Sequence, residues 1–443
     1  MAKPLLEKYG ERLKISEGVY ARDHGNMTLD ENKKLFIARM LANQSNLLKE
    51  SVNSIGTQLG DVGGYKRFVL NVTTVAIPTL ITPDLVITKP MTASTGTVAI
   101  YQFVAGSNKG TVKQGDVFNS PLGLGATDES RMQYSSSAVV ENIAAAATSF
   151  TPAWTPVVGG KVELFKTASN EWEEKPLAEG TVSGLTAGTY SKARYIYNNA
   201  IIPQNDLPTL NCKLTTVSLE AKVRRLAVLY SSLAAYEAKI EGGFDLGDAL
   251  QKQAVGELNF EIDTEVISEL DKAAGDATAS TTFNQRVPAG ISLAQHYEGF
   301  ASTVARAARE IYKRTKKYSA NYMVANSNLL PIISMTKGWK AIENPKMNGP
   351  YLAGSLNGLK VYICDFIAED RAFVGYNGGD LMTSAGVFGM FMPIMPTMLL
   401  EGPDGGNTQG WATMYDFKIV NANLLVAIKV EDKDQVILTK AAD

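Results

Sequence analysis

The side chains most often used in catalysis are few and widely separated in this sequence. The chain of 443 residues contains two histidines, His24 and His296, and two cysteines, Cys212 and Cys364. The histidines lack the close spacing of a zinc hydrolase, and neither cysteine stands in a Cys-x-x-Cys pair. We therefore predict surface or helical histidines and two buried thiols in a reduced cytoplasm, rather than a metal site or a disulfide framework.

Motifs for nucleotide binding and nucleophilic catalysis are also missing from the sequence. It contains no Gly-x-x-x-x-Gly-Lys-Ser/Thr phosphate loop, no Gly-x-Gly-x-x-Gly turn and no Gly-x-Ser-x-Gly elbow. Acidic pairs such as Glu173–Glu174, or Asp248 with Glu257, could act as acid and base, but nothing in the sequence brings them into one pocket. We predict no catalytic, cofactor-binding or metal-binding residues, and no enzymatic activity.

The composition is that of a folded globular protein. Apolar residues make up 45% and charged residues 20%, and 43 Lys and Arg face 45 Asp and Glu, for a net charge of -2. This balance lacks the basic excess of a protein that grips phosphates. The N-terminus has no signal-peptide core, and the apolar window Val387–Leu400, with Pro393 and Pro396, falls short of the ~20 residues that span a bilayer. We expect no membrane segment.

A helical arm is predicted before the folded body, which the length suggests holds two or three units. Thr28 and Glu31 fit a capping box at the start of a helix from about Leu29 to Lys49. Its apolar residues form a partly one-sided pattern, typical of an arm that lies on another surface. They are Leu35, Phe36, Ile37, Met40, Leu41, Leu47 and Leu48.

A β-rich excursion is predicted from about residue 105 to 210. Thr97–Val104 leads into it with β-branched and aromatic residues, and Lys161–Lys166 and Lys192–Tyr197 are further strand candidates. After it, Thr216–Arg224 alternates in the manner of a half-buried strand, with Val223 on the apolar face and Arg224 on the polar one.

Helical periodicity follows this strand. Apolar residues at helical spacing predict one helix over 226–240 and a second, longer one over Leu246–Ala274. In the second, apolar residues recur every four positions, so the row drifts by about 40° per step and no single flat partner could cover it. We expect this spine helix to be crossed by different elements.

The last third alternates between helices and strands. Ser292 and Gln295 can cap a helix that continues to about Lys317. Together these elements predict an α+β protein with two sheets. The strand candidates are Asn321–Asn326, Leu359–Cys364, Ala372–Tyr376, Val387–Met392, Met414–Val420 and Leu424–Val430.

Four segments, in this order and spacing, resemble the major capsid proteins of tailed bacteriophages, in the branch of the T-even phages, which have the Hong Kong 97-type capsid fold. Each segment alone is a weak match, but together they extend over about residues 65 to 430. They are Ile77–Asp84 with Lys89–Met91 and Thr95–Val98, Glu220–Arg225 continuing into Ala254–Leu270, Asn321–Asn328, and Gly354–Tyr362 with Val374–Tyr376.

The resemblance implies an N-terminal arm, a peripheral domain with the spine helix, an extended β loop and an axial domain around the capsomer centre. The expected ranges are 1–66 for the arm, 67–90 for the start of the peripheral domain, 91–215 for the extended loop with a β-rich insertion, 216–275 for the peripheral strand and spine helix, 276–410 for the axial domain, and 411–443 for strands that return to the peripheral region.

The function implied is a major capsid protein that assembles with copies of itself, in the host cytoplasm, into the icosahedral head shell of a virion. Hexamers are expected, and whether pentamers form as well stays open. The shell would enclose double-stranded DNA without sequence-specific binding, and other partners would be vertex, portal, scaffold or decoration proteins. The alternatives are an encapsulin-type nanocompartment shell and an unrecognised soluble α+β enzyme. We expect no cofactor and no membrane.

Contacts between subunits are expected on the loop, the peripheral strand and the arm. The candidate interface residues are Tyr101, Phe103, Arg224, Arg225, Leu35 and Met40. Family proteins typically lose an N-terminal peptide after a hydrophobic-x-Glu site, and Leu48-Lys-Glu50 stands where such a site would be. We nevertheless expect the segment to stay uncleaved, because its apolar helix is only worth ordering against a partner surface.

Overall fold

The chain folds into two compact units in the computed structural model. The main unit comprises Met1–Val98 and Val217–Asp443, and the insertion unit comprises Ala99–Thr216. The residues that the structure describes are 2–25, 27–55, 69–116, 134–135, 137–157, 161–177, 180–198, 208–243, 245–288, 290–315, 317–342, 349–397, 400–402 and 405–432.

Helices and sheets both contribute to the main unit, so the α+β prediction is confirmed. The helices are α1 (Ala2–Lys8), α2 (Gly10–Asp23), α3 (Glu31–Ile55), α4 (residues 69–76), α5 (Thr82–Leu85), α6 (Ser232–Glu241), α7 (Leu246–Ala274), α8 (Leu293–Glu298), α9 (Phe300–Thr315) and α10 (Leu330–Met335). Short 3-10 turns occur at Ile77–Thr79, Ala279–Thr281, Ser327–Leu329, Leu381–Thr383 and Ala422–Leu424.

The N-terminal helices pack on the chain's own body. In α3 the side chains of Phe36, Ile37, Met40 and Leu41 are 0–3% exposed, and they belong to the same core cluster as Leu70, Ile77 and Leu85. Positions i, i+1, i+4 and i+5 form one stripe on a helix, which is why this face is buried together. The surface on which the predicted arm lies is therefore the same polypeptide.

The predicted cap at Thr28 is wrong. The helix begins at Glu31, and the backbone N–H of Lys34 donates to the carbonyl of Asp30 at 3.0 Å. The carbonyl of the N-cap residue accepts the first helical hydrogen bond, so Asp30 holds that position. Helices α1 and α2 were not predicted from the sequence. Leu13 and Tyr20 of α2 are buried, as is Tyr9 between the two helices.

A five-stranded sheet contains the strand that precedes the long helix. Its order is β1–β17–β19–β10, and β18 pairs with β19 beside it. The strands are β1 (Ile87–Pro90), β10 (Lys222–Ser231), β17 (Gly386–Pro396), β18 (Leu400–Glu401) and β19 (Gly406–Ile419).

The chain remains a strand where a helix was predicted from Leu226. Strand β10 pairs antiparallel with β19 over ten positions, from Lys222 with Tyr415 to Ser231 with Gly406. Cross-strand pairing along this whole length outweighs the local helical spacing. Only after Ser231, whose hydroxyl accepts from the backbone N–H of Ala234 at 3.1 Å, does helix α6 begin.

The predicted face assignment fails at the same place. A break at Ala221 separates β9 (Leu210–Glu220) from β10, and beyond it the exposed and half-buried positions exchange. Val223 is 44% exposed, whereas Arg224 is half-buried against the long helix. Strand alternation has period two, so a one-residue irregularity moves every later side chain to the other face.

A seven-stranded sheet forms the second layer of the main unit. Its order is β11–β20–β16–β12–β15–β14–β13. The strands are β11 (Thr282–Asn284), β12 (Tyr322–Ala325), β13 (Trp339–Ala341), β14 (Tyr351–Leu356), β15 (Leu359–Ile363), β16 (Arg371–Gly375) and β20 (Leu425–Glu431). Asn357 and Gly358, at φ of 50° and 89°, make the two-residue turn between β14 and β15.

The last strand does not return to the sheet that contains β10. Strand β20 lies between β16 and β11 in the seven-stranded sheet, whereas β19 pairs with β10. The residues Leu425–Ile428 are all buried. A strand that is apolar on both faces needs a covered, central position. The return of residues 411–443 to the peripheral region stays a prediction.

The spine helix is confirmed from Leu246 to Ala274, capped by the Asp245 carboxylate. Its N-terminal half, at Ala254 and Leu258, packs with Trp411 of β19 in one core cluster. Its C-terminal half, from Ile262 to Ala274, packs in the main core. The drift of the apolar row thus carries the helix from one partner to the next, as the four-residue spacing predicted.

The helix predicted from Ser292 to Lys317 is interrupted. The capping box of Ser292 and Gln295 is present, but α8 ends at Glu298 and α9 begins at Phe300. Gly299 stands between them, and the break lets Tyr297 and Phe300 both be buried.

The insertion unit is built from strands. Strands β2 (Thr95–Ala105) and β9 form a two-stranded ribbon. A four-stranded sheet in the order β3–β8–β5–β6 and a small pair of β4 with β7 complete the unit. The bounds are β3 (Ala138–Asn142), β4 (Ser149–Phe150), β5 (Lys161–Lys166), β6 (Glu171–Pro176), β7 (Val182–Ser183) and β8 (Tyr190–Ile196).

Candidate subunit interface

Large apolar side chains stand exposed on the ribbon of β2 and β9. Tyr101 is 55% and Phe103 39% exposed, while Val98 and Ile100 on the other face of β2 are fully buried. On β9, Leu210 and Leu214 are exposed by 58% and 55%. Grouped apolar side chains of this size on a surface indicate an interaction site.

Arg224 is engaged within its own chain. Its guanidinium donates to both carboxylate oxygens of Glu265 on the spine helix, at 2.7 and 2.6 Å, and lies 5.5 Å from the ring centre of Tyr415. The Tyr415 hydroxyl donates to the same carboxylate at 2.5 Å. Arg225 points to the opposite face and is exposed, so it is the freer of the two for contact with another subunit.

The two predicted arm residues differ in exposure. Leu35 is half-buried and keeps part of its surface. Met40 is 0% exposed and packs in the main core, because it lies on the buried stripe of α3. Met40 is therefore a core residue in this fold, and its assignment to an interface is wrong.

A buried cluster of polar side chains links the N-terminal helices to the rest of the main unit. The Asp84 carboxylate accepts a hydrogen bond from the Tyr20 hydroxyl at 2.9 Å and forms an ion pair with Lys33. The His24 ring stacks on Tyr20, with 4.1 Å between centroids, and its Nε2 lies 3.4 Å from Asp84 Oδ2. The sequence analysis placed His24 on a surface or helix, but at the end of α2 it is only 3% exposed.

The charge state of His24 follows from this burial. Loss of solvent lowers the pKa of His24 to about 4, and the neighbouring Lys33 charge acts in the same direction. At neutral pH the imidazole is therefore uncharged. No sequence signal reveals this cluster, because Asp84 lies 60 positions from His24 and only the folded chain brings them together.

A second buried carboxylate anchors the start of the body to the spine helix. Asp263 accepts from the backbone N–H of Thr82 at 2.9 Å, from its hydroxyl at 2.7 Å, and from the N–H of Ile81 at 3.1 Å. Burial raises the pKa of Asp263 to about 6, although these hydrogen bonds favour the charged form. Its position at the first turn of α5 suits a negative charge.

Asp263 and His24 border a cavity of about 580 Å³ between the N-terminal helices and the spine helix. Its walls also include Asn259 and Trp411. Among the described residues, no group of three or more His, Cys, Asp or Glu side chains could hold a metal ion. No described helix is long and apolar enough to cross a membrane.

Comparison with known proteins identifies the family. The profile of the family Major capsid protein Gp23 matches residues 62–436. The chain belongs to this family. Its match begins after α3 and ends after β20, so it includes both sheets, the spine helix and the insertion unit.

Relatives at low identity share the same description. The major capsid protein of Vibrio phage KVP40 is 25% identical over 410 residues, which cover 82% of this chain and 78% of that protein. The major capsid protein of Enterobacteria phage T6 is 24% identical over 226 residues, which cover 45% of this chain and 44% of that protein.

Comparison with solved structures also returns phage proteins, at low structural similarity. The Microbacterium phage Oxtober96 structure has a TM-score of 0.38 at 12% identity and covers 79% of this chain and 90% of its own. The capsid of Myoviridae Phage XM1 has a TM-score of 0.35 at 11% identity, with coverages of 53% and 81%.

Family membership confirms the resemblance to major capsid proteins found in the sequence. A major capsid protein forms the head shell of a tailed phage, and this chain has that function. It is a component of the virion and works as one of many identical subunits.

Proposed function

We propose that this chain assembles into an icosahedral shell built from hexamers, which encloses double-stranded DNA, and that it does so without catalysing a reaction. The observation that carries the proposal is the set of exposed apolar side chains on the ribbon, at Tyr101, Phe103, Leu210 and Leu214. A protein that stayed monomeric would leave these groups in water.

Many modest contacts suit a closed shell better than one strong contact. Wrongly placed subunits must be able to dissociate, whereas a subunit in a complete lattice is held by several neighbours at once. An insertion unit made of strands offers a wide contact area and strand edges to a neighbouring copy. Arg225 and the exposed part of Leu35 are further proposed contacts.

Weak interaction with DNA is part of the same proposal. The net charge of -2 gives no large counterion-release term for binding phosphates. A shell of such subunits can enclose DNA and later release it. Assembly in the host cytoplasm, and vertex, portal, scaffold and decoration proteins as further partners, complete the proposal.

Size-exclusion chromatography and negative-stain imaging of the purified chain test the proposal. We expect closed particles or discrete capsomers, in a proportion that rises with protein concentration. An inert monomer at high concentration would contradict it. The encapsulin-type alternative predicts protein cargo instead of DNA in particles from the native source, which nuclease treatment and mass spectrometry of the contents distinguish.

A further inference from the structure

In helix α6 the large apolar side chains are exposed, the reverse of the pattern in an ordinary amphipathic helix. Its half-buried residues are the small Ala234, Ala235 and Ala238, whereas Leu233, Tyr236 and Ile240 are 68%, 64% and 63% exposed. Residues three, four and seven positions apart share one helix face. The three large side chains therefore form a single apolar stripe directed away from the chain.

Large apolar side chains are also exposed on the five-stranded sheet. Thr408 of β19 pairs with Leu229 of β10 on one side and with Leu400 of β18 on the other. Directly paired residues project from the same face of a sheet, so the two leucines flank Thr408. They are 72% and 67% exposed.

The other face of this sheet is covered by the chain itself. The neighbouring Gln409 accepts from Gln251 of the spine helix at 3.1 Å, and Val228 packs in the cluster with Trp411. The spine helix thus packs on this inner face, whereas Leu229 and Leu400 lie exposed on the outer one. We call Leu229, Leu233, Tyr236, Ile240 and Leu400 the outer patch.

Strand β10 adds a strand edge to the outer patch. Among the described strands, β10 pairs only with β19 and ends the sheet on that side. An edge strand presents a row of backbone N–H and C=O groups, to which another polypeptide can add.

The charges around the outer patch are complementary to one another. Where β10 begins, the exposed basic residues Lys222 and Arg225 outnumber the exposed Glu220. On and just after α6, the exposed acidic residues Glu237, Glu241 and Asp245 outnumber the exposed Lys239. One chain carries charges of both signs, so the basic start of β10 in one copy can contact the acidic end of α6 in another. Complementary potentials of this kind select and orient a partner.

We propose that the outer patch is a docking surface for a second copy of this chain in the assembled shell. The inference rests on the proposed function and adds a specific contact to it. A second copy brings both an apolar stripe of equal size and the matching charges.

Charge substitution on the stripe tests the proposal. We expect Tyr236→Arg and Ile240→Arg to lower the yield of closed particles at least tenfold, while the unassembled protein keeps its unfolding temperature to within ~2 °C, because both residues are exposed. Tyr312→Arg is the matched control, since Tyr312 is a 51% exposed helical tyrosine outside the outer patch. Tyr236→Phe should retain assembly. Equal particle yields for all four variants would overturn the proposal.

Thiol labelling identifies the occupant. In a Cys212→Ser background, we expect Ile240→Cys to be labelled rapidly in unassembled protein and at least tenfold more slowly in particles made from this chain alone. Rapid labelling in such particles would rule out a second copy at the outer patch while leaving shell formation intact. Slow labelling of the unassembled protein would show that the chain covers the outer patch itself, which also overturns the proposal. If the wild type forms no particles, the proposed function fails first.

Discussion

At the scale of single residues, buried ionisable groups give this protein a defined response to pH. His24 sits against Asp84, Lys33 and Tyr20, and its pKa is lowered from 6.5 to about 4 by burial. The unfolded chain therefore binds a proton on this ring more readily than the folded chain. The stability that His24 contributes is fully present above pH 6.5 and is lost as the pH falls toward 4.

Replacement of His24 by a residue that does not titrate should remove this dependence. Between pH 7 and pH 4, we expect the wild type to lose on the order of 3 kcal/mol more unfolding free energy than His24→Asn, since each pKa unit corresponds to about 1.4 kcal/mol. Urea unfolding of unassembled protein at a series of pH values measures the difference. If the difference in unfolding free energy between the two proteins stays constant from pH 7 to pH 4, the burial argument is contradicted.

At the scale of elements, the spine helix shows what periodicity can predict. Its limits, Leu246 and Ala274, follow from a four-residue repeat that no other element interrupts. Strand β10 shows what periodicity cannot predict, because helical spacing from Leu226 to Ile240 competes with pairing to β19, a strand some 180 positions away in the chain. Pairing between strands that are distant in the chain cannot be detected from the periodicity of a short stretch of sequence.

The N-terminal helices and the hairpin turn also differ in how well the local sequence predicts them. The turn at Asn357-Gly358 carries a recognisable signal, since both residues tolerate the positive φ that a two-residue hairpin requires. The buried face of α2 carries little sequence signal, because the residues that bury Leu13 and Tyr20 come from distant parts of the chain. The exposure of Tyr101 and Phe103 could be predicted from strand alternation, whereas the burial of Met40 depends on tertiary packing.

A substitution in the spine helix tests its place in the core. Leu258 is 3% exposed and packs with Trp411 and Ile394, so Leu258→Asp would bury an unpaired carboxylate. We expect a loss of about 3 to 5 kcal/mol in unfolding free energy, measured by denaturant unfolding. Glu257→Gln is the control one position away, where the side chain is exposed and the change should be small. Wild-type yield and stability for Leu258→Asp would refute the packing.

At the scale of the whole molecule, the N-terminal segment is part of the folded main unit. The apolar stripe of α3 covers part of the main core, so loss of residues 2–49 would expose Leu70, Ile77 and Leu85. We propose that residues 1–50 stay in the mature particle. Intact-mass spectrometry of purified capsids should show a chain that retains them. A dominant species that begins at Ser51 would instead identify Leu48-Lys-Glu50 as a protease site.

We propose above all that exposed apolar surface on the insertion unit joins copies of this chain into a shell. A cryo-EM reconstruction of assembled particles measures this most directly. We predict that Tyr101 and Phe103 lie in contact with a neighbouring copy and are no longer exposed. A shell in which residues 99–216 contact only their own chain would contradict the account.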